Sequence, residues 1–261
     1  MTAVVASDIR LRAGTQLWME GYGSMLRFEM RNLRTYLTIG LVIQLALGAG
    51  MTLMYGFYFG DLDSSQVTFL VTGIPTLALI PIGFVMVPSA IMEHKLHDTY
   101  DYVWSLPVPR LSSAMATFTI FAVLGIPGMV LALLMASAIY DVDLAISWSI
   151  IPAILVTSWI GVSVGYALGH VVPEPRVISL ITNIVLFLVL LFSPIVVAIE
   201  QFPDWWERVH HVLPFWHMST VIRAALTDGM VTTSVPSSYI VLAIWGVLAA
   251  SVAALVVGRR G

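Results

Sequence analysis

Residues 35–58 read TYLTIGLVIQLALGAGMTLMYGFY, an apolar run without aspartate, glutamate, lysine or arginine. A helix of about 20 apolar residues crosses the roughly 30 Å of hydrocarbon in a bilayer, so this run predicts a membrane span. Five more runs of this kind follow it. The six predicted spans are Thr35 to Tyr58, Val67 to Ile91, Ser113 to Tyr140, Ile146 to Gly169, Ile178 to Ile199 and Pro236 to Gly258.

The composition of the whole chain agrees with this interpretation. Of its 261 residues, 59% are hydrophobic and 10% are charged, whereas soluble domains carry about 25% charged residues. The absence of cysteine excludes disulfides and thiolate metal sites. We therefore expect an all-α integral membrane protein, with a cytoplasmic segment of residues 1–34 before a six-span transmembrane domain of residues 35–261.

The basic residues predict the orientation of the bundle, because lysine and arginine near the spans are retained on the cytoplasmic side. With the N-terminus inside, ten of the twelve basic residues lie in cytoplasmic segments, and only Arg208 and Arg223 lie outside. The acidic residues divide into seven inside and eight outside. We expect a multi-pass protein of the cytoplasmic membrane with both termini in the cytoplasm.

The predicted spans contain no charged residue, and Gln44 and Asn183 are the most polar groups within them. Ion-coupled carriers and intramembrane enzymes keep ionisable residues at membrane depth, and an amide cannot relay a proton. The chain also lacks the phosphate-binding G-x-x-x-x-G-K-[ST] loop. The sequence therefore disfavours an ion-coupled carrier and an enzyme, and any uphill transport needs energy from another polypeptide.

The longest internal loop, residues 93–112, reads EHKLHDTYDYVWSLPVPRLS. Its second half exposes several large apolar side chains together, for which a purely connecting loop has no reason. These are Tyr100, Tyr102, Val103, Trp104 and Leu106. A groove on a partner protein would cover them; an ordinary solvated connection is the alternative.

Residues 200–236, between the fifth and sixth runs, are too interrupted to form a span. The apolar stretches Val209 to Leu213 and Met218 to Leu226 predict two short helices in a re-entrant external hairpin that closes the translocation path. Trp205 and Trp206 suit the membrane interface, with substrate contact as the alternative. The histidines of this segment form no zinc-binding pattern, so no metal site is expected.

The segment before the first span has the periodicity of an interfacial amphipathic helix. Arg27, Arg31 and Arg34 recur at i, i+4 and i+7 and form a basic stripe for lipid head groups, for a partner protein, or for both. The predicted apolar face holds Tyr22, Leu26, Met30 and Leu33.

Small residues and prolines mark positions where the spans can pack closely or bend. Gly161, Gly165 and Gly169 form two G-x-x-x-G steps on one face of span four, which let another helix approach. That helix belongs either to the same subunit or to a second copy. The prolines of span two, Pro75, Pro81 and Pro88, permit bends.

Taken in order along a six-span chain, the internal loop and the external hairpin resemble the permeases of type 2 ABC exporters. The loop motif consists of Leu106, Pro107, Val108, Pro109 and Arg110, which lead into a new span. The hairpin motif consists of Leu213, Pro214, Arg223, Ala224 and Leu226. The segment from His94 to His97 and the pair Pro214-Phe215 differ from the residues most frequent in the family.

The resemblance implies a coupling helix in the internal loop, which docks into a groove on an ATPase. The residues expected at this contact are Glu93, His94, His97, Tyr100, Tyr102, Val103, Trp104, Leu106 and Pro107. The residues expected at an external gate are Trp205, Trp206, Pro214 and Arg223.

The resemblance also implies the partners. Two ABC ATPase subunits would bind ATP and Mg²⁺, while this chain binds no cofactor. Because six helices make half of a typical exporter membrane domain, a second permease, identical or a sibling, is expected beside membrane lipids, and no nucleic acid is. The implied function is export of an amphipathic molecule such as a drug, an antibiotic or a lipid-linked compound; the alternative is a non-transporting scaffold or assembly subunit.

Overall fold

The protein folds as a bundle of helices. The structure is a computed structural model and describes residues 15–58, 63–97, 102–103, 105–106, 108–231 and 233–258. The helices are α1 Thr15–Asn32, α2 Arg34–Tyr58, α3 Ser64–Pro81, α4 Val87–Leu96, α5 Arg110–Tyr140, α6 Ile150–Val171, α7 Pro175–Phe192, α8 Asp204–His210, α9 Pro214–Leu226 and α10 Val235–Gly258. A π-helical turn, Ile82–Met86, joins α3 to α4. No β-strand occurs in these described ranges, and the predicted all-α fold is confirmed.

Among the residues that the structure describes, six elements are long and apolar enough to cross a membrane, as predicted. Span one is α2, span two is the continuous element from α3 through α4, and spans three to six are α5, α6, α7 and α10. Helix α1 precedes span one and packs against span three, while α9 packs against spans two, four and six. We call the end of the bundle that carries α1 the α1 end, and the opposite end, which carries α8 and α9, the hairpin end.

Span two begins at a capping box. Asp63 Oδ1 accepts hydrogen bonds from the backbone N–H of Gln66 at 2.9 Å and from Ser65 Oγ at 2.7 Å. The Gln66 side chain accepts in return from the backbone N–H of Asp63 at 3.3 Å. These hydrogen bonds, chiefly the one from Gln66, lower the pKa of the Asp63 carboxyl. The carboxylate is thus kept charged at a helix N-terminus, where the helix dipole favours it.

Span two is the centre of the bundle. In the apolar 18-residue stretch that identifies each span, 94% of the residues of span two are buried inside the protein, against 17–44% for the other five spans. Pro81 and Pro88 flank the π-helical turn, and each proline leaves a carbonyl four residues earlier without its usual helical donor. Tyr36 Oη of span one donates to the Met86 carbonyl within this turn at 2.9 Å. The central helix is therefore irregular at mid-length, a feature that often marks functional sites.

Gln44 links span one to its neighbours. The side chain is fully buried, and its Nε2 donates to the Ala78 carbonyl of span two. A Cβ built on Gly128 of span three would collide with the Gln44 side chain, so three spans meet at this amide. Asn183, the other amide noted in the sequence, is exposed and donates to the Ser179 carbonyl of its own helix at 2.8 Å.

Span five ends earlier than predicted. Its helix stops at Phe192, not at Ile199. Ser193 adopts an extended conformation, with ψ of 138°, because the ring of Pro194 disfavours a helical residue before it. The chain is irregular from residue 193 to 198. This early end places the Ile195 carbonyl where the hairpin can bind it.

The glycines of span four face span two. A Cβ placed on Gly165 would overlap the carbonyl oxygen of Gly83, and a Cβ placed on Gly83 would overlap the backbone of Gly161. A Cβ on Gly169 would lie 2.7 Å from Ile91 Cδ1. Spans two and four therefore touch backbone to backbone, a contact that small residues permit in lipid, and this contact lies within the subunit.

Gly165→Val is expected to force spans two and four apart. The added side chain meets backbone atoms and not a movable side chain, so the usual overpacking cost of about 1–3 kcal/mol is a lower limit. The measurement is the fraction of monodisperse protein that survives heating in detergent. Gly50→Val in span one is the control, because no heavy atom lies within 4 Å of a Cβ built there. Equal heat resistance of the two variants would contradict the close contact.

Candidate functional site

The loop between spans two and three closes a cavity at the α1 end. Val103, Leu106 and Val108 line this cavity of about 170 Å³, together with residues from α1 and from spans two, three and four. Tyr102, by contrast, is 55% exposed, and its ring lies 6.2 Å from the ring of Phe28 on α1. The loop thus has an inner face that contacts the bundle and an outer face that includes Tyr102.

Two residues predicted in this loop belong to a helix instead. Helix α4 continues to Leu96, so Glu93 and His94 stand in the last turn of span two, and the loop does not start at residue 93. His97 is the C-cap, with its Nε2 3.2 Å from the Glu93 carboxylate. The helix continues because glutamate, lysine and leucine favour it. The predicted contacts Tyr100, Trp104 and Pro107 lie outside the described residues.

A buried contact joins α1 to span two in the wall of the cavity. The Glu29 carboxylate lies 2.9 Å from His94 Nε2, and both side chains are less than 10% exposed. Asn32 Nδ2 lies 3.2 Å from His94 Nδ1. Both ring nitrogens of His94 are therefore held by α1. Burying a carboxylate is costly unless it has such a partner, so the pair specifies how α1 sits on span two.

Arg110, Tyr166 and His170 also belong to the polar part of the cavity wall. His170 Nδ1 lies 2.8 Å from the Tyr166 carbonyl, and the two rings are 4.2 Å apart. Leu33 and Phe121 contribute apolar surface to the same cavity. The cavity is therefore amphipathic, and four separate elements of the bundle meet around it.

Lys95 ties the end of span two to the end of span four. Its Nζ donates to the carbonyls of Gly169 at 2.7 Å and Val172 at 2.6 Å. The last carbonyls of a helix have no intrahelical partner, and a cation there is also favoured by the helix dipole. A movement of the loop after span two would thus be transmitted to span four.

The face of α1 that packs on the bundle is not the apolar face noted in the sequence. The buried residues follow a spacing of four. They are Gly21, Met25, Glu29 and Leu33. Of the predicted apolar face Tyr22, Leu26, Met30 and Leu33, only Leu33 is buried, and Met30 is 55% exposed. The interfacial position predicted for this helix stays a prediction, while Glu29 is buried through its contact with His94. The predicted basic stripe of Arg27, Arg31 and Arg34 is exposed.

The hairpin folds back onto the bundle. Trp206 Nε1 donates to the Phe192 carbonyl at the end of span five at 2.9 Å, while Trp205 is 60% exposed. Pro214 is the first residue of α9 and is buried, as fits a residue that has no N–H to satisfy. Trp206 and Pro214 thus hold the hairpin, and Trp205 faces outward.

The hairpin is also held by the loop between spans three and four and by span six. The backbone N–H groups of Ala145 and Ser147 donate to the last carbonyls of α9, Leu226 at 2.9 Å and Ala225 at 2.8 Å. His217 lies between Ser238 Oγ of span six, at 3.0 Å, and the His211 carbonyl, at 2.9 Å. Within the described ranges, no three His, Cys, Asp or Glu side chains are grouped as metal ligands.

Arg223 is a buried cation on α9. It is 3% exposed, and its guanidinium donates to Thr72 Oγ1 at 3.2 Å, to the Phe69 carbonyl at 3.2 Å and to the Ile195 carbonyl at 2.6 Å. The guanidinium carbon also lies 3.5 Å from the centre of the Phe69 ring, a cation–π contact. Arg223 therefore joins the hairpin both to the central span and to the broken end of span five.

Comparison with known families identifies the family of this helical bundle. A family model described as ABC-2 type transporter matches residues 21–227. The chain belongs to the ABC-2 type transporter family. The matched range includes most of α1, spans one to five and both hairpin helices, α8 and α9, while span six follows it. A search of curated proteins found no match.

As an ABC-2 family member, the chain is the membrane-spanning permease subunit of an ABC transporter, as predicted. Sequence reasoning missed three polar groups at the α1 end, namely Glu29 and His170 in the cavity wall and Lys95 between the ends of spans two and four. A signal existed for Glu29, which lies four residues after Met25 and four before Leu33. Lys95 and His170 lie at helix ends, where a sequence gives no reason to expect that a charged or imidazole side chain is anything other than solvated.

Proposed function

We propose that this permease exports an amphipathic small molecule, such as a drug, an antibiotic or a lipid-linked compound, across the cytoplasmic membrane. Two copies of an ABC ATPase, which hold ATP and Mg²⁺, supply the energy from the cytosol. A second permease, identical or a sibling subunit, completes the pathway. Both termini then lie in the cytoplasm, and the α1 end faces the ATPase. The permease chain itself binds no cofactor.

The position of the loop between spans two and three carries this proposal. Its outer face presents Tyr102, and its inner face contacts a cavity whose walls come from α1 and three spans. A partner that presses on the outer face therefore displaces the inner face against all four elements. In this proposal, the end of span two holds the loop in position. It consists of the last turn, with Glu93 and His94, and the C-cap His97.

In this proposal, the binding of ATP shifts the equilibrium between two arrangements of the transporter. A ligand shifts an equilibrium between two arrangements only by its differential affinity for them, and ATP would favour the closed pair of ATPase subunits. Closure moves the loop, and the Glu29–His94 and Lys95 contacts pass the movement to α1 and span four. The contacts of Arg223 and Trp206 support an arrangement in which the hairpin closes the opposite end.

The surfaces of the spans support the proposed class of substrate. Their exposed side chains are mostly apolar, including Val42, Leu134, Phe187 and Ile240. Such surfaces bind apolar groups and offer no charged ligands with which to select a small ion. An amphipathic molecule can move along them with its polar end in water, which is the reason for preferring this class.

Tyr102→Ala is expected to abolish the stimulation of ATP hydrolysis that the permease gives to its ATPase. Truncating an aromatic side chain at the centre of an interface costs about 2 kcal/mol or more, or about 30-fold in affinity. The tagged permease is purified from its native membrane with its ATPase, and ATP turnover is measured in lipid vesicles. Leu106→Asp, which places a carboxylate in the cavity near Glu29, is expected to have the same effect while the chain still inserts into the membrane.

Trp148→Ala is the matched control, because Trp148 is 87% exposed but lies in the loop between spans three and four at the hairpin end. It is expected to retain full stimulation of the ATPase. Normal stimulation by both Tyr102→Ala and Leu106→Asp would remove the coupling role of the loop. Purification as a stable complex without nucleotide hydrolysis would favour the scaffold alternative.

A further inference from the structure

A lateral groove opens between spans three, four and six at the α1 end of the bundle. Its volume is about 260 Å³. Phe118 of span three and Trp159 of span four line it, and small side chains leave the space open. These small residues are Ala114, Ala250, Ala253 and Ala254. Because the lining is nearly all apolar, the groove excludes water and accepts hydrocarbon.

One end of the groove carries a positive charge. Arg110, the first residue of span three, lines the groove and is exposed. Guanidinium groups bind phosphate through two parallel hydrogen bonds, which an ammonium cannot reproduce. The groove therefore combines an apolar slot with a site for an anionic head group.

We infer that this groove binds one anionic phospholipid, with its phosphate on Arg110 and one acyl chain along the alanines. The lining of the groove follows span three from Arg110 to Phe118, a rise of about 12 Å. One leaflet contributes about 15 Å to the hydrocarbon of a bilayer, so a chain that enters at head-group level fills the groove. The inference concerns a resident lipid and does not depend on what the permease exports.

Arg110 and Tyr166 give the lipid a route to the coupling region. Both residues line the groove, and both also line the cavity beneath the loop between spans two and three. A phosphate bound to Arg110 holds the first turn of span three, directly after loop residue Val108. Lipid binding therefore stabilises the arrangement of the loop that the structure describes.

Native mass spectrometry of the delipidated permease tests this inference. Dioleoyl phosphatidylglycerol and dioleoyl phosphatidylcholine are added in equal amounts, and the lipid retained by the protein is measured. The unmodified permease is expected to retain the anionic lipid about tenfold better, because charge-assisted hydrogen bonds to Arg110 favour it. Arg110→Gln is expected to lose this preference, and Arg110→Lys to keep part of it.

Variants that fill the groove distinguish lipid bound in the groove from lipid that contacts the rest of the protein surface. Ala254→Phe is expected to lose the retained phosphatidylglycerol, and Ala250→Leu serves as a smaller change in case the first variant misfolds. Val252→Phe is the control, because Val252 is exposed on span six and does not line the groove. It is expected to retain the lipid.

Three results would overturn the inference. They are equal retention of the two lipids by the unmodified permease, unchanged retention in both groove-filling variants, and displacement of phosphatidylglycerol by inorganic phosphate alone. The last result would mean that the acyl chain contributes nothing to binding. None of these measurements uses the ATPase, so their failure leaves the transport proposal untouched, and failure of the transport proposal leaves the lipid site untouched.

Discussion

Glu29→Ala will lower the free energy of unfolding by about 2 kcal/mol, because the buried His94 loses the hydrogen bond at its Nε2. His94 keeps its buried position and loses the carboxylate that lies 2.9 Å from its Nε2. Helix α1 then loses a specific contact to span two. The measurement is unfolding by SDS titration in mixed micelles, with ATPase stimulation in vesicles as a second readout that should fall in parallel.

The control for this prediction lies on the same helix. Glu20 is exposed, so Glu20→Ala is expected to change the free energy of unfolding by less than about 0.5 kcal/mol. The double variant Glu29→Ala/His94→Ala should be less destabilised than the sum of the two single variants, by about 1–3 kcal/mol. Strict additivity would show that the two side chains do not act as a pair.

Arg223→Met will release the hairpin from the bundle. Methionine keeps much of the side-chain volume but removes three donated hydrogen bonds. Hydrogen bonds to charged groups contribute about 1.5–3 kcal/mol each, and relief from burying a charge offsets part of this loss. We expect a net destabilisation of about 3 kcal/mol and faster amide hydrogen exchange in α9 than in span six.

Arg208→Met on α8 is the matched arginine control. Arg208 is exposed, and its Nε donates only to the Asp204 carbonyl of the same helix, at 3.2 Å, among the bonds described. Exchange in α9 should be the same as in the unmodified protein. Equal protection of α9 in Arg223→Met and Arg208→Met would contradict the role given to the buried cation.

The six spans could be predicted because lipid imposes a length and a composition that few other structures satisfy. The run at residues 35–58 and the helix Arg34–Tyr58 agree within one residue. Helix ends were harder to predict wherever backbone chemistry, and not hydropathy, sets them. Span five illustrates this, because Ser193 and Pro194 stop the helix while the apolar run continues to Ile199.

The buried polar groups could not be predicted from hydropathy at all. Glu29 and Arg223 are buried because each contacts a partner that is distant in the sequence, His94 for Glu29 and Ile195 for Arg223. The spacing of Glu29 from Met25 and Leu33 indicates its helix face, but no local pattern identifies the partner, since the cost of burial is recovered only in the folded bundle. The short α9 adds to the difficulty, because its 13 residues fall below the length that identifies a membrane segment.

The depth of Arg223 has an electrical consequence. Its guanidinium lies among the membrane spans, so any displacement of α9 along the membrane normal carries a positive charge through part of the transmembrane voltage. Moving one elementary charge through the full field costs or yields about 2.3 kcal/mol per 100 mV. In the proposed transport cycle, opening of the hairpin therefore performs electrical work, and we expect turnover to depend on membrane potential even when the transported molecule is neutral.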